Sequence, residues 1–507
     1  MAVPSRQSRR AVLVAFSAMM LATLLAALDQ TIVATALPRI ASDLHGFAAL
    51  SWVVTAYLVS STVTVPLYGK LSDLYGRRRL FVVSISIFVI GSVLCALAQS
   101  IGQLVAFRAL QGLGAGGLLP LSQAAIADLF SPRERGRYQG FIGSMWATAA
   151  VAGPLLGGTL TDHATWRWIF LINLPLGALA LVAVVRTMPA AFQARRHDID
   201  YAGAVTLSVA VTSVLLVTAW GGVTYAWGSP EVLAAAAIAA VGLVAFLWFE
   251  RRASEPLLAL ALFRQPVFAV ASSASLIIGA VLFGVTIYVP VFVQGVLGES
   301  ATDSGVVLIP LSLAWVASSF VAGQIVARTG RYRAFPIAGT TLVLCGMVAL
   351  TLIDAGSSGA AVAAALTVTG LGMGITWPVY VVATQNAVDP SQLGVATATL
   401  QFFRTMGGTL AVAALGALLT SRLTAELPEH VGRAAAAKVD TDRLIQGGAH
   451  VAPSLRSGIE SALDAALNPV FLALVPLAAI GVAFALLLKE RPLRVARPGA
   501  AASDDAA

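Results

Sequence analysis

Apolar runs of about 20 residues, the length an α-helix needs to cross a hydrocarbon layer about 30 Å thick, recur along nearly the whole of this chain. In lipid such a run has one stable form, because a helix satisfies its own backbone donors and acceptors without water. Fourteen runs are readable, approximately 12–37, 49–69, 80–98, 104–127, 138–160, 166–186, 200–220, 231–249, 268–296, 304–327, 333–353, 360–383, 395–420 and 469–488. With 58% hydrophobic and 11% charged residues, too few polar side chains remain to clothe a water-soluble surface. The chain is expected to be an all-α integral membrane protein with 14 transmembrane helices.

The net charge of +8 reads as a topology signal rather than a nucleic-acid footprint. Most Lys and Arg fall in the tails and in the even-numbered connections, among them Arg77, Arg78, Arg79, Arg133, Arg135, Arg137, Arg195, Arg196, Arg251 and Arg252. Basic loops stay on the cytoplasmic side, so both termini are expected in the cytoplasm and the first helix is expected to remain uncleaved. The two cysteines, Cys95 and Cys345, lie within spans and imply no disulfide framework. The excess of arginine over lysine and the abundance of alanine suggest a GC-rich genome, consistent with a bacterial cell membrane.

Three intramembrane features carry chemistry. Asp29 lies about 26 Å along the first helix at 1.5 Å per residue, and a carboxylate at that depth is a functional candidate by default. Arg108, in FRALQGLGAGG, lies a few residues inside the outer end of span 4. An arginine there keeps its charge, so it must face a cavity or a partner, and Asp29 is a candidate partner. Burial raises the proton affinity of a carboxylate and a neighbouring guanidinium lowers it, which makes such an acid a candidate proton carrier. In span 5, AAVAGPLLGGTL spans Ala149 to Leu160. On a helix Gly153, Gly157 and Gly158 are expected to form a ridge that another backbone can approach, bent by Pro154.

These segments resemble the motifs of the fourteen-span drug:proton antiporters of the major facilitator superfamily. GPLLGG at Gly153–Gly158, followed by WRWIFLINLPLG at Trp166–Gly177, resembles the fifth-helix antiporter motif and the start of the sixth helix, with Ala149 where the family often has glycine. LDQTIVATALP resembles the first-helix motif, whose aspartate, here Asp29, is implicated in proton coupling. Arg108, Gln111, Gly112 and Gly114 resemble the fourth-helix motif. GKLSDLYGRRR, with Gly69, Asp73, Gly76, Arg77 and Arg78, resembles the signature loop that latches two halves in the outward-facing state. The loop recurs as GQIVARTGRYR, in which Gly69, Gly76, Arg77 and Arg79 match Gly323, Gly330, Arg331 and Arg333, while Ala327 replaces Asp73.

The resemblance implies a major facilitator fold of two six-helix halves plus two extra linking helices. The expected divisions are a tail 1–11, a first half 12–186, the extra pair with its loops 187–266, a second half 267–488 and a tail 489–507. The outer segment 421–468 is expected to form short amphipathic helices over the outer mouth, and the extra pair is expected to replace a cytoplasmic linker. Gln123, Trp146, Tyr288, Gln294, Trp315, Trp377, Tyr380, Gln401, Phe402 and Arg404 are candidates for a central cavity. The scarcity of carboxylates among them disfavours dications and leaves neutral, monocationic or anionic amphiphiles open.

The resemblance implies alternating-access export of a small molecule against protons by a monomer in the plasma membrane. An exporter dedicated to one host compound or lipid is compatible with the same residues, as is a non-transporting sensor on the same fold. No cofactor, metal or catalytic activity is expected. The chain lacks the phosphate-binding pattern G-x-x-x-x-G-K-[ST], and His45, His163, His197, His430 and His450 have no metal-ligand spacing.

Overall fold

The computed structural model describes residues 9–44, 50–188, 200–222, 225–258, 260–299, 301–436, 455–490 and 492. The helices of the first part are α1 (Arg9–Asp43), α2 (Leu50–Tyr75), α3 (Arg77–Leu97), α4 (Ile101–Leu129), α5 (Pro132–His163), the short α6 (Trp168–Leu171) and α7 (Asn173–Thr187). Next come α8 (Tyr201–Trp220) and α9 (Pro230–Glu250). The last part comprises α10 (Pro266–Gly295), α11 (Ala301–Thr329), α12 (Ala334–Thr351), α13 (Gly359–Ala387), α14 (Leu393–Val431) and α15 (Arg456–Leu487).

Among the described residues, 13 helical segments are long and apolar enough to cross a membrane. By length α2 makes a fourteenth. Its middle carries Ser60, Ser61, Thr62 and Thr64, whose hydroxyls donate to carbonyls three or four residues back on the same helix. Those bonds let a polar stretch sit in a bundle without exposing unpaired groups. Ser100, Ser229 and Ser358 cap α4, α9 and α13 by accepting from a backbone N–H three residues on.

The bundle is built twice. In the first set α2 and α3 pack on α4, and α1 packs on α5 and α7. The same pairings recur in the second set, with α11 and α12 on α13, and α10 on α14 and α15. Each set has its own apolar core, one around Met19, Phe81 and Phe88 and the other around Phe292, Phe471 and Leu474. The matched loop glycines also share a conformation, since Gly76 and Gly330 have φ of 89° and 70°, a region that side-chain-bearing residues avoid. Two seams join the sets, α2 against α14 and α5 against α11.

One expectation is revised in part. Of the segment after span 13, the described residues hold one short helix, Arg433–Ala436, and otherwise belong to the two membrane helices on either side. Helix α14 continues unbroken to Val431, and SGIESALDAAL forms the first turns of α15. Leu419, Leu423 and Leu427 recur every four residues and are buried against Ile459, Leu463 and Leu467, so an apolar stripe prolongs both helices as a pair. Most of AAAAKVDTDRLI lies outside the described residues.

The extra pair also packs against the bundle. Helix α8 touches both α2 and α14, and Leu207, Val211 and Leu215 form one apolar cluster with Val65, Ala398 and Phe402. It therefore covers one seam from the side. On α9 the large residues Leu233, Val241, Val244 and Trp248 are 51–69% exposed, a face suited to lipid.

Candidate functional site

Asp29 sits at the centre of a buried polar node contributed by α1 to α4 and the α6–α7 break. Both of its oxygens are occupied. Arg108 Nη1 donates to Oδ2 at 2.7 Å, while Gln111 Nε2 and Asn173 Nδ2 donate to Oδ1 at 2.8 and 3.0 Å. Arg108 also donates to the Gln111 side-chain carbonyl at 2.7 Å and to the Val53 backbone carbonyl at 3.3 Å. Its guanidinium carbon lies 4.1 Å from the centroid of Tyr57. Ser92 extends the node, accepting from Asn173 and donating to the Phe170 carbonyl.

Asp29, Gln111 and Asn173 have no solvent exposure and Arg108 has 1%. Burying two opposite charges is tolerable only with the remaining donors and acceptors satisfied, and the two amides and the backbone carbonyl do that here. The node thus holds a sealed ion pair within one half of the bundle. The spacing of α4 permits it. A Cβ at Gly112 would lie 2.0 Å from Ser60 Oγ, and one at Gly114 would lie 2.4 Å from Phe88 N. These glycines let α4 wedge between α2 and α3, which brings Arg108 and Gln111 to Asp29.

The sequence points to Asp29, Arg108 and Gln111, but Asn173, Ser92 and Tyr57 emerge only in three dimensions. The available signal for Asn173 is an amide inside the apolar run INLPLG. Asn173→Ala leaves Oδ1 of Asp29 with one donor and is expected to destabilise the protein by about 1–3 kcal/mol. Thermal unfolding in detergent measures that loss.

The second region lies where the α2–α3 loop meets α14. Asp73 Oδ1 and Oδ2 accept the backbone N–H groups of Gly394 and Val395 at 3.0 and 2.9 Å. Those groups belong to the first turn of α14, where N–H donors have no intrahelical acceptor and a negative charge is favoured. Arg77 bridges Asp73 at 2.5 Å and Asp128 of α4 at 3.0 Å, and it also donates to Ser72 Oγ. Arg78 is half-buried and outside this cluster. Gly69 serves a close helix crossing, since a Cβ there would lie 2.4 Å from Ala398 Cβ and 2.8 Å from the Gly394 carbonyl oxygen.

The other seam closes at the same end by a similar device. A Cβ at Gly323 would lie 2.3 Å from the Gly136 carbonyl oxygen. The α5–α11 crossing is therefore glycine on glycine, as is the α2–α14 crossing. Replacing Asp73 with Asn removes a charge from the first turn of α14. Thiol labelling of Ala398→Cys from this end is expected to rise several-fold, as the loss of charge-assisted bonds implies.

Of the expected ridge, Gly153 alone is seen to meet another helix. A Cβ there would lie 2.1 Å from Thr31 Oγ1, and Thr31 donates across to the Ala149 carbonyl at 2.9 Å. Gly157 is buried. Gly158 has nothing within 4 Å of a Cβ position, so it makes no close crossing. The side chain of Pro154 lies outside the described residues.

The cavity candidates separate into two groups. Tyr288 is turned into the core of the second set and donates to the Val412 carbonyl at 2.6 Å, while Gln294 donates to Ser304. Trp146 packs against α1 beside Leu24, Ala27 and Leu28. The others lie nearer the seams. Trp315 stands 3.5 Å from a Cβ position at Gly143 of α5, and Phe402 belongs to the α2–α8–α14 cluster. The backbone carbonyl of Gln123 accepts from Gln385 across the two sets at 3.2 Å. The side-chain amide of Gln123, Gln401 Oε1 and Tyr380 Oη are buried without hydrogen-bond partners. Arg404 lies over Trp377, 4.6 Å from the ring centroid.

The sequence model described as Major Facilitator Superfamily matches residues 19–412. The multidrug transporter protein MdtP of Bacillus subtilis (strain 168) is 37% identical over 422 residues, covering 83% of this chain and 77% of that protein. Multidrug resistance protein 3 of the same strain is 34% identical over 484 residues, covering 93% and 94%. Among solved structures, the proton:xylose symporter XylE has a TM-score of 0.63 at 14% identity, covering 95% of this chain and 96% of the other. At that identity the likeness concerns the fold.

Proposed function

The chain belongs to the major facilitator superfamily and is a multi-pass membrane transporter rather than an enzyme, and from that premise we propose that it is a proton-coupled antiporter exporting small amphiphilic molecules. The observation that carries this reading is the sealed Asp29–Arg108 pair. A carboxylate held by an arginine and two amides, with no water contact, is a site whose proton can exchange only if the bundle rearranges. That property links protonation to conformation. The multidrug relatives support the direction and the broad cargo.

In this reading the end bearing Arg77, Arg78 and Arg79 is cytoplasmic, so both seams are closed toward the cytoplasm in the state described here. Protonation of Asp29 from outside neutralises it and loosens its hold on Arg108, and the two halves rock to open the cytoplasmic side. Release of the proton there resets the pair. Proton and cargo favour opposite states, so binding of one disfavours the other by reciprocal linkage. Each proton entering down the membrane potential supplies about 2.3 kcal/mol per 100 mV.

The test is transport of a fluorescent amphiphile into inverted vesicles or oriented proteoliposomes under an imposed pH gradient. Uphill accumulation that collapses with a protonophore is expected. Flux that only runs downhill, and at the same rate with or without the gradient, would overturn the antiport reading.

A further inference from the structure

The described chain has two arginines deep within transmembrane helices, and they are treated differently. Arg108 lies over an aromatic ring and is fully paired with Asp29, Gln111 and Val53. Arg404 also lies over an aromatic ring, Trp377, but among the described residues it makes no hydrogen bond and no ion pair, and its buried Nε has no partner. It stands 11 residues into α14, about 16 Å along the helix, and the residue as a whole is half-buried. An unpaired guanidinium there is costly, and an aromatic face offsets only a small part of that cost.

Among the described residues nothing supplies the missing anion. The described acids of the second set, Glu299, Asp303, Asp354, Asp389, Glu426, Glu429, Glu460, Asp464 and Glu490, lie in the loops, near helix ends or in the prolonged parts of α14 and α15. Asp29 is committed to Arg108. The ring that the Arg404 guanidinium faces is Trp377. Trp377 shares a cluster with Tyr380 and Trp315, and Trp315 reaches Gly143 of the other set. Tyr380 Oη is another buried group without a partner.

The geometry points to a monoanionic amphiphile as the cargo, its carboxylate held by the Arg404 guanidinium and its apolar body laid against Trp377 and Trp315. This inference rests on the transporter reading and deepens it by naming the headgroup. A guanidinium presents paired N–H donors that match the two oxygens of a carboxylate. The contact with Trp377, 4.6 Å to the ring centroid, uses none of those N–H donors. The mechanism above does not depend on the headgroup, because proton exchange is assigned to the separate node at Asp29.

Three probes with one body and three headgroups test the inference: pyrenebutyrate, pyrenebutanamide and pyrenebutylamine. Binding is measured by fluorescence on the full-length protein in nanodiscs without any proton gradient, so the result is independent of coupling. The carboxylate is expected to bind about tenfold or more tighter than the amide and the amine, as one charge-assisted contact implies. Arg404→Gln is expected to remove that preference while leaving amide binding in place, which also reports a folded site. Arg404→Lys should retain part of the preference, and Arg404→Glu should favour the amine.

Equal binding of the three probes by the native protein, binding of none, or tighter binding of the amine would overturn the assignment. An unchanged ratio in Arg404→Gln, or an equal loss for all three probes, would also overturn it. A protein that shows the headgroup preference but no gradient-driven flux would retain the assignment and lose antiport instead.

Discussion

Asp29→Asn is expected to abolish gradient-driven transport, reducing it to the leak of protein-free vesicles. The substitution removes the proton-exchanging group, and it also leaves Arg108 as a buried charge without its counterion. Breaking such a pair from one side costs about 3–5 kcal/mol, so a lower yield of folded protein is expected as well. The Asp29→Asn/Arg108→Gln double variant separates the two effects, because it removes both charges. It is expected to unfold at a higher temperature than the single variant and to exchange cargo downhill, with the same loss of response to the pH gradient. Uphill transport by the double variant would remove the pair from the coupling role and direct attention to Asp73 and Asp128.

The second large effect is expected from Gly69→Val. The added atoms meet Ala398 and the Gly394 carbonyl at less than contact distance, and neither neighbour can turn away. Overpacking of this kind costs about 1–3 kcal/mol or more. Here the cost falls only on the state in which α2 and α14 touch, and the population of that state drops roughly 5- to 150-fold. Turnover should fall in proportion, while thiol labelling at Ala398→Cys should rise from the end bearing Arg77. Gly158→Val is the matched control. Its Cβ enters open space, so transport should stay near native levels. Full activity in Gly69→Val would show that this crossing is not visited in the cycle.

What the sequence reveals, and what it conceals, follows from the kind of interaction involved. The span pattern is legible because lipid imposes one length and one form on every apolar run. Asp29 and Arg108 are legible because charges inside such runs need partners. Asn173 is much less visible, since a neutral amide is cheaper to bury and its value lies in two hydrogen bonds to residues 81 and 144 positions away.

Glycines show a related limit. Gly69 and Gly76 read together as turn residues, yet Gly76 alone has the positive φ, and Gly69 serves a crossing whose other side, Gly394, has no local signature. The prolonged α14 and α15 are hidden because hydropathy falls where lipid ends, whereas their mutual leucine stripe continues the helices beyond that point.

The duplicated bundle also has an unequal fastening, and the reason lies in where its helices begin. Helix α14 starts at the crossing itself, so the N–H groups of Gly394 and Val395 are free for Asp73. Helix α5 starts four residues before Gly136, with its own Ser131–Glu134 cap. The Gly136 N–H is already committed within the helix, and an acid at Ala327 would find no comparable donor there. Duplication supplied two equivalent joints, and helix phasing left one of them a clasp and the other a plain hinge. In the proposed cycle the end bearing Arg77 is expected to swing about the α5–α11 side like a door, with the resistance to that swing concentrated in a single carboxylate.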